Sequence, residues 1–130
     1  MRLLPQHWRE YVTEAVCLGL FMVSAAGFAT LLRHPASPLS EWNASPMAQR
    51  IPMGIAMGLT AMAIIYSPLG MRSGAHMNPA VTLTFLRLGK ITARDAVGYV
   101  TGQFAGGLLG ILTAEWLFRG LPAVVDWLLP

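Results

Sequence analysis

The chain has 130 residues, of which 55% are hydrophobic and only 12% charged, so it is more apolar than an ordinary water-soluble domain. Nine basic and six acidic residues give a net charge of +3, but the cations are scattered among apolar runs and form no basic surface for nucleic acid. These features predict an all-α protein embedded in a lipid bilayer, with no nucleic-acid partner.

The first apolar segment, VTEAVCLGLFMVSAAGFATLL, runs from residue 12 to 32 and carries one charge, Glu14. A helix of this length crosses the roughly 30 Å hydrocarbon core of a bilayer. A signal-peptide core is the alternative, but the run is too long, and Glu10 and Glu14 stand where positive charge would be expected. The single cysteine, Cys17, allows no intrachain disulfide, and its apolar setting favours a buried small side chain over a reactive thiol.

A second span is predicted over residues 51–70, IPMGIAMGLTAMAIIYSPLG, after a polar connection over residues 33–50. It is uncharged, and Pro52 suits the first turn of a helix.

The third span is predicted over residues 94–118, with Asp95 in the first turn, where the helix dipole favours an acid. Glycines recur along it every four residues and lay a stripe on one helix face, where another helix can approach to backbone contact. They are Gly98, Gly102, Gly106 and Gly110, and Gly54 and Gly58 offer a shorter version on the second span.

Between the second and third spans lies SGAHMNPAVTLTF, residues 73–85, whose apolar continuation to residue 88 reaches only halfway across a bilayer. Residues 78–88 therefore form either an interfacial helix or a re-entrant half-helix. With Pro79 in the first position, the N-terminal amides stay free, and Asn78 either caps this helix or presents its amide to a permeating solute.

Basic residues are distributed unevenly if the chain crosses the membrane three times. Arg2, Arg9, Arg72, Arg87, Lys90 and Arg94 fall on one side, and Arg33, Arg50 and Arg119 on the other. The positive-inside rule then places the amino terminus and residues 71–94 in the cytoplasm and the carboxyl terminus outside. We expect an integral protein of the cell (inner) membrane.

No enzymatic or metal-binding pattern is present in the sequence: there is no HExxH motif, no phosphate-binding loop, no nucleophile beside a base and no paired carboxylates. His76 reads as a lone histidine, more typical of a surface than of a metal site. We expect no catalytic residues, no metal and no cofactor.

The stretch SGAHMNPAVT closely resembles the first signature loop of the aquaporin and glycerol-facilitator family, the major intrinsic proteins. The likeness extends over the chain: an early glutamate in the first span (Glu14), two glycines in the second, the NPA half-helix, and a glutamine beside glycines in the third (Gln103). The resemblance implies one aquaporin-like repeat, residues 1–130, with three transmembrane helices and one re-entrant half-helix.

The resemblance also implies a passive channel for water or small uncharged, glycerol-like solutes. Asn78 would donate a hydrogen bond to the solute, Pro79 and Ala80 would seat the half-helix against a twin, and Glu14 and Gln103 would brace the loop. The carbonyls of Gly74, Ala75 and His76 would form a ladder of acceptors. From the residues alone, Glu14 either faces a polar partner inside the bundle or snorkels towards the helix end.

One position bears on selectivity by the same resemblance. The family's constriction residue on the second span lies twenty positions before the motif asparagine, which is Gly58 here. A glycine where strict water channels place an aromatic ring implies a wider passage.

Members of that family contain two inverted repeats, whereas these 130 residues hold one NPA motif and no constriction arginine. The resemblance thus predicts half a channel that needs a second repeat or a complete channel subunit, in a tetramer. The unequal basic residues argue against an antiparallel homodimer, and the apolar ending AVVDWLLP suggests truncation or a split gene. The alternative function is a non-conducting interaction or regulatory subunit that joins complete channels.

Overall fold

The structure is a computed structural model and describes residues 7–42 and 45–119. Its secondary structure there is entirely helical. The helices are α1 (Trp8–Arg33), α2 (Pro38–Trp42), α3 (Pro46–Ile65), α4 (Pro68–Ser73), α5 (Pro79–Arg87) and α6 (Ala93–Phe118). α1, α3 and α6 are each long and apolar enough to cross a membrane, so the fold is that of an all-α membrane protein.

The second long helix is displaced towards the amino terminus from the predicted residues 51–70. α3 begins at Pro46, which takes the first position of the helix, so Pro52 lies in the helix interior instead of opening it. The helix ends at Ile65 because Ser67 precedes Pro68 and adopts an extended backbone with ψ 158°. The Ser67 hydroxyl then caps α4 by accepting from Gly70 N at 3.1 Å.

The main seam of the fold joins α1 to α6, the first and last of the six helices. A methyl group built on Gly106 would lie 2.0 Å from the carbonyl oxygen of Ala15, and one on Gly110 would lie 2.6 Å from that of Gly19. A methyl on Gly102 would lie 2.6 Å from the carbonyl oxygen of Tyr11, and one on Gly98 would meet the Tyr11 ring. The stripe therefore brings the two backbones into direct contact, as only glycine permits.

α3 lies at the edge of the bundle. It packs on α1 and, through the Ser67 turn, on α4, and Ile64 is its one buried residue within the described chain. Gly54 and Gly58 are exposed, with no described atom within 4 Å of a methyl group built on either. Helix packing at Gly54 thus stays a prediction, because the contact would have to come from outside the described residues.

The short helices α4 and α5 hold the central loop against the seam. α4 packs on α1 and α5 packs on α6. α5 runs from Pro79 to Arg87, close to the predicted residues 78–88, and the chain leaves it through Gly89 at φ +67°. The ending AVVDWLLP lies outside the described residues.

Candidate functional site

The loop between α4 and α5 has an unusual backbone. Gly74 ends α4 at φ +88°, and Ala75 and Met77 also have positive φ, +45° and +48°. Such angles cost a residue with a side chain about 1–3 kcal/mol and mark functional loops when the surroundings enforce them. The carbonyl oxygens of Gly74, Ala75 and His76 accept no hydrogen bond from any residue that the structure describes. They are free to act as acceptors for another molecule.

Asn78 is the N-cap of α5, and Pro79 occupies the first helical position. Its side-chain oxygen accepts from Ala80 N at 2.8 Å. The side chain is exposed, and no residue within the described ranges 7–42 and 45–119 forms a hydrogen bond with its amide nitrogen. Capping and presentation of a donor are therefore compatible, since each uses a different atom of the same amide.

Glu14 and Gln103 meet behind this loop. Both are buried, with exposures of 0% and 1%, and Gln103 Nε2 donates to Glu14 Oε1 at 2.9 Å. The same Glu14 oxygen accepts from the backbone N–H of Met77, the residue with positive φ. The carboxyl group of Glu14 on α1 and the amide of Gln103 on α6 thus hold the loop at Met77, and Glu14 does not snorkel to the helix end.

His76 is buried, not at the surface, with 8% exposure. Its ring lies between those of Phe85 and Tyr99, with centroids at 4.5 and 4.7 Å, and its Nδ1 is 3.0 Å from Thr82 Oγ1. No set of His, Cys, Asp or Glu suited to hold a metal occurs in the described part of the chain. The histidine side chain therefore fixes the loop, while its carbonyl remains available.

Two residues of this site, Thr82 and Tyr99, were not predicted from the sequence. Thr82 has 0% exposure and accepts from Gln103 Nε2 at 2.9 Å, and the Tyr99 hydroxyl donates to the carbonyl oxygen of Ser73. Spacing offered a signal for both, because Thr82 lies four residues after Asn78 and Tyr99 four before Gln103, each on the same face of its helix.

A second polar cluster, also missed, joins the first turns of α1 and α6. Asp95 Oδ1 accepts from Tyr11 OH at 2.6 Å and lies 2.9 Å from His7 Nδ1, and Asp95 Oδ2 accepts from Thr92 Oγ1 at 2.6 Å. The hydrogen bond to Asp95 raises the pKa of His7 above its ordinary value. This cluster connects the amino-terminal end of α1 to the amino-terminal end of α6.

Gly58, the predicted constriction residue, lies on α3 and takes no part in the loop network. It is exposed, and no described atom lies within 4 Å of a methyl group built on it. Its assignment to a passage stays a prediction.

Three membrane-crossing helices and a short helix anchored by buried polar side chains define an α-helical integral membrane protein. The sequence model of the family described as "Major intrinsic protein" matches residues 3–126. The chain belongs to this family, whose members are channels and not enzymes.

Relatives with aquaporin names are similar over most of the chain. "Aquaglyceroporin AqpS" of Rhizobium meliloti is 34% identical over 110 residues, which are 85% of this chain and 44% of the relative. "Probable aquaporin AqpM" of Archaeoglobus fulgidus is 32% identical over 84% of this chain and 46% of its own. "Aquaporin-1" of Ovis aries is 29% identical over 88% of this chain and 41% of its own. The chain thus spans less than half the length of these relatives, and no solved structure matches it significantly.

Proposed function

We propose that the chain is one half of a passive membrane channel for water and small uncharged solutes, completed by a second repeat. The observation that carries this proposal is Asn78, whose oxygen caps α5 while its amide nitrogen is left exposed and unpaired by the described residues. A spare donor beside the free carbonyl oxygens of Gly74, Ala75 and His76 suits a solute that both accepts and donates hydrogen bonds.

Electrostatics favour a neutral permeant. The amino-terminal end of α5 carries the positive end of the helix dipole, and residues 73–80 contain no acidic or basic side chain apart from the buried His76. A half-helix pointing this end at the path would attract the oxygen of water or an alcohol and oppose cations, including hydronium.

The second repeat and the solute size belong to the same proposal. By family resemblance a twin half-helix would face Pro79 and Ala80, and four such channels would form a tetramer in the cell membrane, with the amino terminus cytoplasmic.

Gly58 would leave the passage wide enough for glycerol-like solutes. Gly58→Phe in a completed channel should then reduce glycerol flux much more than water flux. If the completed channel with Gly58 conducts water but no glycerol, the proposal of a wide passage is wrong.

The alternative is a non-conducting subunit that joins complete channels and alters their assembly. It is favoured by α3, whose outward face, with Gly54 and Gly58, is left uncovered by the described residues. This function needs no second half and predicts changed assembly of a complete channel without a new permeability.

The test is stopped-flow shrinkage of proteoliposomes that contain the full chain, alone or co-reconstituted with the second half of the Rhizobium meliloti relative. We expect the chain alone to match empty vesicles and the pair to conduct water. Asn78→Ala should lower the flux of the pair, because it removes both cap and donor. The two halves of the relative serve as the positive control. If those halves conduct but the mixed pair does not, the half-channel proposal is wrong.

A further inference from the structure

An apolar groove opens to the outside between the first turns of α1 and α6, on the flank of the seam. It is lined by Tyr11 and Val12 from α1 and by Val97, Gly98, Gly102 and Ala105 from α6. Val12 and Val97 are 52% and 67% exposed, so the groove is uncovered by the described residues. Both helices are long and apolar enough to cross a membrane, so lipid meets this groove wherever no further protein covers it.

The rim of the groove is cationic and aromatic. Arg94 lines it from α6 and Trp8 from α1, with the Arg9 guanidinium carbon 5.7 Å from the Trp8 ring centroid. Neither arginine has an ion pair with any described residue. The neighbouring acid, Asp95, is already engaged by Thr92, Tyr11 and His7. The rim therefore offers two guanidinium groups that form no direct ion pair with a described carboxylate, at the place where a helix leaves the hydrocarbon.

We propose that this groove binds one anionic phospholipid, with an acyl chain along Gly98, Gly102 and Ala105 and the headgroup phosphate at Arg94. The apolar lining fits a hydrocarbon chain, Trp8 lies where interfacial aromatics are enriched, and unpaired arginines at the end of a groove select negative headgroups. The site is separate from the Asn78 loop and does not depend on conduction.

The charge requirement is tested by native mass spectrometry of the full chain, extracted from vesicles of equimolar phosphatidylglycerol and phosphatidylcholine with identical acyl chains. We expect the wild-type chain to retain phosphatidylglycerol preferentially. Arg94→Gln should reduce that preference about fivefold, the equivalent of one basic residue at a membrane surface, and Arg94→Lys should keep most of it. Arg87→Gln is the matched control, because Arg87 is an exposed cation outside the groove.

The acyl-chain requirement is tested in the same vesicles. Ala105→Trp fills the groove from an exposed position and should lower retention of both lipids, whereas Leu108→Trp, on the same helix outside the groove, should not. The proposal is overturned if Arg94→Gln leaves the lipid ratio unchanged, if Arg87→Gln reduces it equally, or if the two tryptophan variants retain lipid alike.

Discussion

At the scale of single residues, the buried carboxyl group of Glu14 costs free energy to desolvate and yet stabilises the loop. A carboxyl group buried inside a membrane-crossing helix is expensive unless hydrogen bonds replace its water shell. Glu14 Oε1 receives two donors, one from the Met77 backbone and one from Gln103. Because the residue it holds has positive φ, the acid contributes directly to the shape of the loop.

Glu14→Ala should destabilise the chain strongly, because it leaves the Met77 N–H and one Gln103 N–H without an acceptor. Each unpaired buried donor costs about 1–3 kcal/mol. Glu14→Gln keeps an amide oxygen in place and should cost less. Unfolding in mixed micelles, followed by circular dichroism, measures the difference. Glu115→Ala is the control, since it removes only an exposed pair with Arg119 worth about 0–1 kcal/mol. Equal stability of the Glu14→Ala and Glu115→Ala variants would contradict this account.

The residues of the site differ in how far the sequence predicts them. Asn78 and Pro79 carry a local signal, because capping and the first helical position depend on neighbours in the chain. The contact between Glu14 and Gln103 carries no local signal, because the two residues are 89 positions apart in the chain. The burial of His76 was missed for the same reason: its ring contacts include Tyr99 of another helix, which no local pattern reports.

At the scale of helices, the α1–α6 seam depends on which glycines face the partner. Gly106 and Gly107 are adjacent, yet a methyl on Gly106 would lie 2.0 Å from the Ala15 carbonyl oxygen and one on Gly107 would lie 3.5 Å from Leu18 Cδ2. The four-residue spacing indicates this face because helical geometry is regular. The shift of α3 was not predicted, since two prolines, Pro46 and Pro52, both suit a helix start and hydropathy does not choose between them.

Gly106→Ala should destabilise the chain by about 1–3 kcal/mol, because the methyl group overpacks a backbone contact that cannot rotate away. Gly107→Ala is the matched control and should be neutral or stabilising by up to about 1 kcal/mol, from higher helix propensity. The same micelle unfolding assay compares them. Similar losses in both variants would show that the seam does not depend on this contact.

The His7–Asp95 contact should make the attachment of α1 to α6 depend on pH. A partner that raises the pKa of His7 stabilises the fold most below the ordinary value of 6.5, and this contribution disappears as pH rises through the raised pKa. The difference in melting temperature between wild type and His7→Gln should therefore shrink with increasing pH. It should be small, since His7 is exposed, and absent in an Asp95→Asn background. A difference that grows with pH would contradict the assignment.

At the scale of the whole molecule, charge asymmetry and helix count together predict one orientation in the membrane. The described residues include three helices long and apolar enough to cross a membrane, which would put the start of α1 and the end of α6 on opposite sides. The excess of basic residues at the start of α1, the end of α5 and the start of α6 predicts that these helix ends lie in the cytoplasm. Hydropathy predicts the three long helices, and the distribution of basic residues predicts their orientation. The second repeat that would complete a channel has no counterpart in these residues.

Single cysteines in a Cys17→Ser background test the orientation. Glu41→Cys should react with a membrane-impermeant maleimide on intact cells, and Lys90→Cys only after lysis, because the two exposed positions lie on opposite sides. The reverse pattern would invert the topology. Equal labelling at both positions would indicate dual insertion and would support an antiparallel pair of chains.

The seam between α1 and α6 also has a consequence for biosynthesis. α1 emerges from the ribosome before α6, yet α6 supplies the glycines that contact α1 and the Gln103 partner of Glu14. Contacts between distant parts of a chain form only after the intervening residues exist. During translation α1 therefore enters the bilayer with its carboxyl group unmatched, and the loop acquires its final shape only when α6 arrives.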